Sequence, residues 1–235
     1  MAASPNRIKE LGALAVAAIL APYLGVLVGT RWLLPLLGTF SFLPIFLQLV
    51  RKKSVTVCLA GCMLWAFLYS ATCIILAHGN SPRYEAAVIH GAEYRQEMFR
   101  WLETGEGAEG DPARFVPNHL LHFAAFLVLV ILTRGVGGLL LGVMLLDYMN
   151  AYVGALAREG NPWLLALLGW HPWAILRVTG FLLAAILWVR PMENGKKRRK
   201  QSGWKWVFLL LACDLLLKWW LAPTWRELIR SQLGG

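Results

Sequence analysis

The sequence predicts an all-α integral membrane protein: a bundle of seven, alternatively six, transmembrane helices with one outer amphipathic helix. Hydrophobic residues make up 58% of the 235 residues and charged residues only 15%, well below the roughly 25% charged residues of a soluble domain. Several apolar runs approach or exceed the about 20 residues that a helix needs to cross a bilayer. Short charged segments separate these runs, so residues 1–235 form a single polytopic membrane domain.

Seven apolar runs are the candidate spans. The fourth run is short, and residues 163–173 form an apolar segment that is interfacial or re-entrant in this interpretation, so six spans is the alternative count. In chain order the seven runs cover residues 11–29, 33–50, 55–77, 120–133, 136–156, 174–189 and 204–221.

Clusters of lysine and arginine predict the sidedness of the spans. Loops rich in these residues stay in the cytoplasm, and the two strongest clusters are RKK at 51–53 and KKRRK at 196–200. Seven spans place both clusters in the cytoplasm only if the N-terminus is cytoplasmic and the C-terminus is outside. Residues 190–203 are then a basic cytoplasmic loop, and residues 79–118 are an outer loop, periplasmic or extracellular, of a protein integral to the plasma or inner membrane.

The basic residues also bear on the partners of the chain. A net charge of +10 is compatible with nucleic-acid binding, but the clusters lie beside apolar runs, where anionic lipid and membrane topology account for them. We therefore expect the lipid bilayer as a partner and no nucleic acid, with other subunits of a membrane complex as a further option. All four cysteines lie inside apolar runs, which is typical of small buried side chains rather than of disulfides.

The outer loop contains a predicted amphipathic helix over residues 82–103. Ser81 is a candidate N-cap with Pro82 at the first helical position, and Gly105 follows the last charged turn. Apolar residues recur along it at spacings of three, four or seven, so the helix has one apolar face. We expect that face to lie on the membrane interface or on the outer ends of the spanning helices.

One polar strip of this helix carries the first candidate catalytic residues. At about 100° per residue, His90, Glu93, Glu97 and Arg100 fall on the same side of the helix. In the site interpretation, His90 and Glu93 bind a metal or act as acid and base, while Glu97 and Arg100 orient them. In the alternative interpretation the strip is a solvated helix face, and Glu97 and Arg100 form an ordinary i, i+3 pair.

The histidines favour the site interpretation, because the predicted topology places all five on the outer side. His119 and His122 lie about one helical turn apart, where both rings can face one atom. With His90 and Glu93 they form a candidate metal site for Zn, Fe or Mn. A haem b held between His78 and His119 or His122 is the alternative cofactor. Neither spacing is a specific motif, and water and backbone groups also satisfy interfacial histidines.

Two aspartates lie near the midpoints of predicted spans, where a carboxylate is costly unless it is paired, protonated or hydrated. Asp214 has Lys218 at i+4, which neutralises both side chains if they pair. Asp147 has no such partner on its own helix, and a pair with Arg177 of another span is one option for it. These residues predict a polar cleft that opens to the outer side beneath the amphipathic helix. Its predicted substrate-contacting residues are Asp147, Asn150, Arg177 and His171.

Together these features favour a membrane-embedded enzyme, metal-dependent or acid/base, acting on a lipid, lipid-linked or membrane-peptide substrate at the outer leaflet. The alternative is a transporter or an accessory subunit of a larger membrane complex, in which the outer helix is a docking surface and the cleft is a permeation path or a partner-binding groove. A haem-binding redox subunit is a third option. The candidate catalytic residues are His90, Glu93, Glu97, Arg100, His119 and His122.

Overall fold

The computed structural model of the protein describes residues 5–193 and 203–233, which form ten α-helices and no strand. The basic cluster predicted to be cytoplasmic at 196–200 lies outside the described residues. In chain order the helices are α1 (Pro5–Val28), α2 (Leu33–Lys52), α3 (Val55–Gly79), α4 (Ser81–Ala87), α5 (Gly91–Thr104), α6 (Pro112–Leu132), α7 (Val136–Leu156), α8 (Pro162–Gly169), α9 (Pro172–Glu193) and α10 (Trp204–Arg230).

Six of these helices are long and apolar enough to cross a membrane: α2, α3, α6, α7, α9 and α10. The apolar part of α1, Gly12–Val28, is shorter and packs against α2 and α3. The chain is therefore a multi-pass integral membrane protein in contact with lipid, as the sequence predicts. The fourth predicted run is the end of a longer helix, because α6 already begins at Pro112, where the Asp111 carboxylate accepts a hydrogen bond from the Ala113 amide at 2.9 Å.

Short connections make successive long helices run in opposite directions. As a result α3, α7 and α10 finish at the same end of the bundle at which α6 and α9 begin. We call this the α5 end, because α5 packs there against α7 and α10. The Arg226 guanidinium near the end of α10 fixes this packing by donating to the backbone carbonyls of Trp101, Leu102 and Glu103 at 2.8–2.9 Å, which also satisfies free carbonyls in the last turn of α5.

The predicted single helix over residues 82–103 is two helices, which corrects the sequence-based expectation. Val88 is extended (φ −98°, ψ 131°) and His90 is left-handed (φ 55°), so α4 stops at Ala87 and α5 starts at Gly91. The N-cap of α4 is Asn80, not Ser81, since its side-chain oxygen accepts from the Arg83 amide at 3.2 Å. The break allows both helices to bury apolar side chains in the bundle.

The buried side chains of this broken segment explain why it folds back on the bundle. Tyr84 and Val88 from α4 and its end are 0% and 3% exposed, while Met98 and Trp101 from α5 are each 1% exposed. Burying one large apolar side chain stabilises the folded state by on the order of 1.5–3 kcal/mol. Four such side chains therefore contribute strongly to holding the segment on the bundle. This segment therefore forms a fixed wall at the α5 end.

Candidate active site

A cavity of about 350 Å³ lies between α3, α6, α7 and α9, with α5 and the 105–111 segment over its end. Its walls change character along the bundle. Toward the α5 end they carry Glu97, Glu109, His119 and His122, whereas deeper in the bundle they are built of aromatic and aliphatic side chains such as Phe126. The cavity is therefore amphipathic, with a polar head region and an apolar body.

The polar end of the cavity is bordered by a chain of five interacting side chains, which we call the ion-pair network. Two guanidinium nitrogens of Arg177, Nε and Nη2, donate to the Asp214 carboxylate at 3.0 and 3.2 Å. Asp214 Oδ2 lies 3.4 Å from Nδ1 of His119. The other ring nitrogen, Nε2, lies 3.5 Å from Lys218 Nζ, which in turn lies 2.8 Å from Glu109.

Four parts of the fold supply this network: the segment before α6 supplies Glu109, α6 supplies His119, α9 supplies Arg177, and α10 supplies Asp214 and Lys218. The side chains of Lys218, Asp214 and His119 are 0%, 1% and 8% exposed. Each buried charge faces an opposite charge, which is the condition for keeping ions out of water. The Lys218 ammonium also lies 4.6 Å from the ring centroid of Phe115, in cation–π contact.

The partners of Asp214 and Lys218 differ from the predicted ones. Sequence spacing suggested that these two residues neutralise each other along α10, but Asp214 reaches Arg177 on α9 and Lys218 reaches Glu109 outside the spans. The physical reason is that positions one turn apart have different neighbours once the helix is packed. Each side chain reaches a closer partner across the bundle than along its own helix.

His119 is the centre of this arrangement. Its Nδ1 points toward Asp214 but lacks the alignment of a hydrogen bond, and a carboxylate on that side favours the tautomer with a proton on Nδ1 and a lone pair on Nε2. His122, one turn further along α6, also lines the cavity and is half-buried, with no hydrogen bond or ion pair to the described residues. The two imidazoles predicted to act together therefore do share one cavity.

Burial and the charges of the network shift the pKa values of two residues outside the spans, Glu109 and Tyr94. Burial by itself would raise the pKa of Glu109, but the Lys218 ammonium, with His171 and Arg177, lowers that pKa to about 2. Glu109 is consequently ionised at neutral pH. Burial raises the pKa of Tyr94, and the nearby carboxylate of Glu109 raises it further, so the phenol stays protonated at neutral pH.

His171 has a packing role beneath the site. It is 1% exposed, it lies 4.6 Å from Trp173 in a ring stack, and it does not line the cavity. Burial lowers its pKa to about 4, against the opposing effect of Glu109. The ring is therefore neutral at neutral pH, and the prediction that His171 contacts substrate in the cleft has no support from its position.

The strip predicted on α5 is divided by the structure. Glu97 lines the cavity, whereas His90 and Glu93 are exposed, with side chains 72% and 71% accessible, and lie 3.7 Å from each other. Arg100 is also exposed. Because His90 stands at the break before α5 rather than within a helix, it does not share the inward face that carries Glu97.

The metal site predicted from His90, Glu93, His119 and His122 is not assembled. Within residues 5–193 and 203–233, no group of three or more His, Cys, Asp or Glu side chains is placed to hold a metal ion. The first two residues face outward, and the ring of His119 is flanked by Asp214 and Lys218. His78, the other predicted haem ligand, is exposed and makes no hydrogen bond, ion pair or ring contact with the described residues.

A second buried polar group lies between α3 and α7, away from the cavity lining. We call it the Asp147 cluster: the Tyr69 hydroxyl donates to Asp147 Oδ1 at 2.9 Å, and Asn150 lies one turn along α7. Asp147 Oδ2 and both amide atoms of Asn150 have no hydrogen-bond partner within the described part of the chain. The predicted pair of Asp147 with Arg177 does not form, because Arg177 is engaged by Asp214.

Sequence reasoning missed three residues of the site: Glu109, Tyr94 and, as a network member, Lys218. Glu109 lies in an irregular segment with no periodicity to indicate which way it faces. Tyr94 was not singled out, although it lies three residues before Glu97 on the same helix, and this spacing is a usable signal. Lys218 was noticed only as a neighbour of Asp214.

The chain matches no protein-family model, no curated protein and no solved structure. The side chains at the polar end of the cavity provide an imidazole with the Asp214 carboxylate on its Nδ1 side and the Lys218 ammonium on its Nε2 side, a guanidinium from Arg177, and an apolar volume next to them.

Proposed function

We propose that this protein is a membrane-embedded acid/base enzyme that acts on an amphiphilic substrate, a lipid or a lipid-linked molecule, at the outer membrane surface. The observation that carries the proposal is the position of His119, a buried imidazole at the junction of an amphipathic cavity and a charge-compensated network. An imidazole with a carboxylate beside it is a common general acid or base. The basic cluster at residues 51–53, at the opposite end from α5, supports the outer location, because basic loops stay in the cytoplasm.

The shape of the cavity supports an amphiphile rather than a water-soluble substrate. A volume of about 350 Å³ is within the usual range of small-molecule sites and holds a head group with the first part of one chain. The apolar body of the cavity contains Phe126 and Phe181, whose ring centroids are 4.7 Å apart. An acyl chain that moves there from the bilayer exchanges one apolar surrounding for another, so it enters without a hydrophobic cost.

The residues of the network have complementary parts in a proton transfer. Asp214 lies on the Nδ1 side of His119 and the Lys218 ammonium lies 3.5 Å from Nε2, so the imidazole and the ammonium form one acid/base pair that takes up a proton from the substrate or returns it. Arg177 uses Nε and Nη2 on Asp214, which leaves Nη1 to stabilise negative charge that develops on a substrate oxygen. His122 contributes a second imidazole on the same wall, and Glu109 holds the Lys218 ammonium in place.

A comparison of two histidine variants tests this proposal. The purified chain is reconstituted in liposomes of a total phospholipid extract, and lipid species are followed over time by mass spectrometry. We expect the wild type and His78→Ala to convert a lipid species, and His119→Ala to convert it at least about 100-fold more slowly, the usual size of an acid/base contribution. Equal conversion by His119→Ala, or no conversion by the wild type, would contradict the proposal.

A proton-coupled transporter is the second candidate function, and the Asp147 cluster favours it. A carboxyl group buried in the middle of α7, with a tyrosine hydroxyl as its one hydrogen-bond partner in the described chain, resembles the intramembrane acids that carry protons. For a transporter, Asp147→Asn stops substrate flux into vesicles and His119→Ala leaves it intact. The reverse pattern, with Asp147→Asn active and His119→Ala inactive, supports the enzyme.

A further inference from the structure

The polar end of the cavity has one carboxylate in excess. Glu109 is balanced by Lys218 and Asp214 by Arg177. Glu97 also lines the cavity and is half-buried, yet it makes no hydrogen bond or ion pair with the described residues. A ligand that completes this end of the cavity therefore brings a positive charge to Glu97.

Aromatic rings beside Glu97 match the same kind of group. Tyr94, three residues earlier on α5, stacks on Tyr148 of α7 with ring centroids 5.6 Å apart and planes 25° apart, and both residues line the cavity. Ammonium groups are attracted to the faces of such rings as well as to carboxylates. A hydroxyl-bearing head group can donate a hydrogen bond to Glu97 but brings no positive charge to it.

A ligand with only a cationic group would leave the Arg177 guanidinium, which also lines the cavity, without a ligand contact. Arg177 is 22% exposed and spends only two of its three guanidinium nitrogens on Asp214. The remaining nitrogen, Nη1, is a donor suited to a phosphate oxygen. The cavity thus presents a donor for an anion and a carboxylate with aromatic rings for a cation, next to an apolar body.

We propose that the cavity selects a phospholipid whose head group carries an ammonium group beside its phosphate. The ammonium lies between Glu97 and the Tyr94–Tyr148 pair, the phosphate faces Arg177, and an acyl chain enters the apolar body. This inference rests on the proposed function, since it takes the occupant of the cavity to be a lipid, and it adds the class of head group.

The selectivity is measured by native mass spectrometry of the full chain released from membranes with equal amounts of dioleoyl phosphatidylethanolamine and dioleoyl phosphatidylglycerol. We expect the wild type to retain the ethanolamine lipid in preference to the glycerol lipid. Glu97→Gln should lower this ratio roughly tenfold, as loss of one partly buried charge contact does. Glu93→Gln, on the same helix but exposed, should leave the ratio unchanged.

A modified lipid tests the same head-group preference on the wild-type protein. N-acetylated dioleoyl phosphatidylethanolamine retains the phosphate and both chains but has no ammonium group, so the wild type should prefer the unmodified lipid over it by a similar factor. Two results would overturn the head-group inference. The first is equal retention of the unmodified and the N-acetylated lipid by the wild type. The second is an unchanged ratio of ethanolamine to glycerol lipid in a folded Glu97→Gln protein.

A cavity-filling variant separates failure of this inference from failure of the proposed function. Gly142 lines the cavity, and a Cβ there would lie 3.7 Å from Phe126, an ordinary contact, so Gly142→Leu places an apolar side chain in the cavity. Gly12→Leu, where a Cβ meets nothing within 4 Å, is its control. If Gly142→Leu retains less lipid than the control while the wild type retains both head groups equally, the cavity is a lipid site and the head-group inference fails. If Gly142→Leu retains as much lipid as the control, both fail.

Discussion

The protein buries polar side chains in two places, and the two differ in how charge is compensated. In the ion-pair network, Lys218 lies 2.8 Å from Glu109 and Arg177 holds Asp214 with two hydrogen bonds. In the Asp147 cluster, the carboxyl group has a tyrosine hydroxyl beside it and no cation within the described residues. The network therefore consists of ions, whereas the cluster is built of neutral polar groups around one acid.

The difference in charge compensation favours the ion-pair network over the Asp147 cluster as the candidate site. Burying ions is costly even when they are paired, and replacing such pairs with apolar residues is often neutral or stabilising. A network that joins α6, α9 and α10 to a segment outside the spans, and that also lines a cavity, therefore points to a site. The Asp147 cluster joins α3 and α7, which also pack closely about two turns further along, where a Cβ at Gly154 would meet the side chain of Ala77.

The largest effect on stability is expected for Lys218→Met. Removal of the ammonium leaves the Glu109 carboxylate without its nearest cation, and breaking a buried ion pair from one side costs about 3–5 kcal/mol. The free energy of unfolding, measured by titration of detergent-solubilised protein with SDS, should fall by about that amount.

Two further variants make the Lys218 result interpretable. Lys205→Met removes a lysine from the exposed side of the same helix and should change little. In the double variant Lys218→Met, Glu109→Gln, the stranded charge is gone, so most of the lost stability should return. If Lys218→Met alone unfolds like Lys205→Met, the ions of the network are not mutually stabilised and the contrast with the Asp147 cluster disappears.

A smaller effect is expected from pH, through His171. Its pKa is about 4 in the folded protein and ordinarily 6.5, so between these values the unfolded chain binds a proton that the folded chain does not. The free energy of unfolding therefore falls as pH drops from 6.5 to 4, by about 3 kcal/mol for this group alone. His171→Phe keeps a ring against Trp173 and should flatten the profile in this interval.

Glu109 provides an internal reference for the pH profile. Its pKa of about 2 lies below the ordinary 4.5, so the stability it confers is present above pH 4.5 and is lost as pH falls toward 2. That acid limb should persist in His171→Phe and vanish in Glu109→Gln. Identical profiles for the wild type and His171→Phe between pH 4.5 and 6.5 would mean that His171 is not buried as a neutral ring.

The sequence predicted the spans well and the contacts of the site poorly, for a physical reason. An apolar run is a property of neighbouring residues, so α7 was identified with the same bounds, 136–156, in sequence and structure. Side-chain partners depend on which helices are adjacent, and nothing in the sequence indicated that Asp214 would face Arg177 rather than Lys218. The same holds for the break at His90, where backbone dihedrals follow from how Tyr84 and Met98 are buried.

The smallest effect is expected for Asp147→Asn. The side-chain oxygen of asparagine can still accept the hydrogen bond that the Tyr69 hydroxyl donates at 2.9 Å, so this contact between α3 and α7 is kept. The free energy of unfolding should change by about 1 kcal/mol or less, the net value of one hydrogen bond. A loss as large as that of Lys218→Met would show that Asp147 is an ion with a cationic partner. The two buried regions would then be alike in charge compensation, and this property would no longer distinguish the ion-pair network as the candidate site.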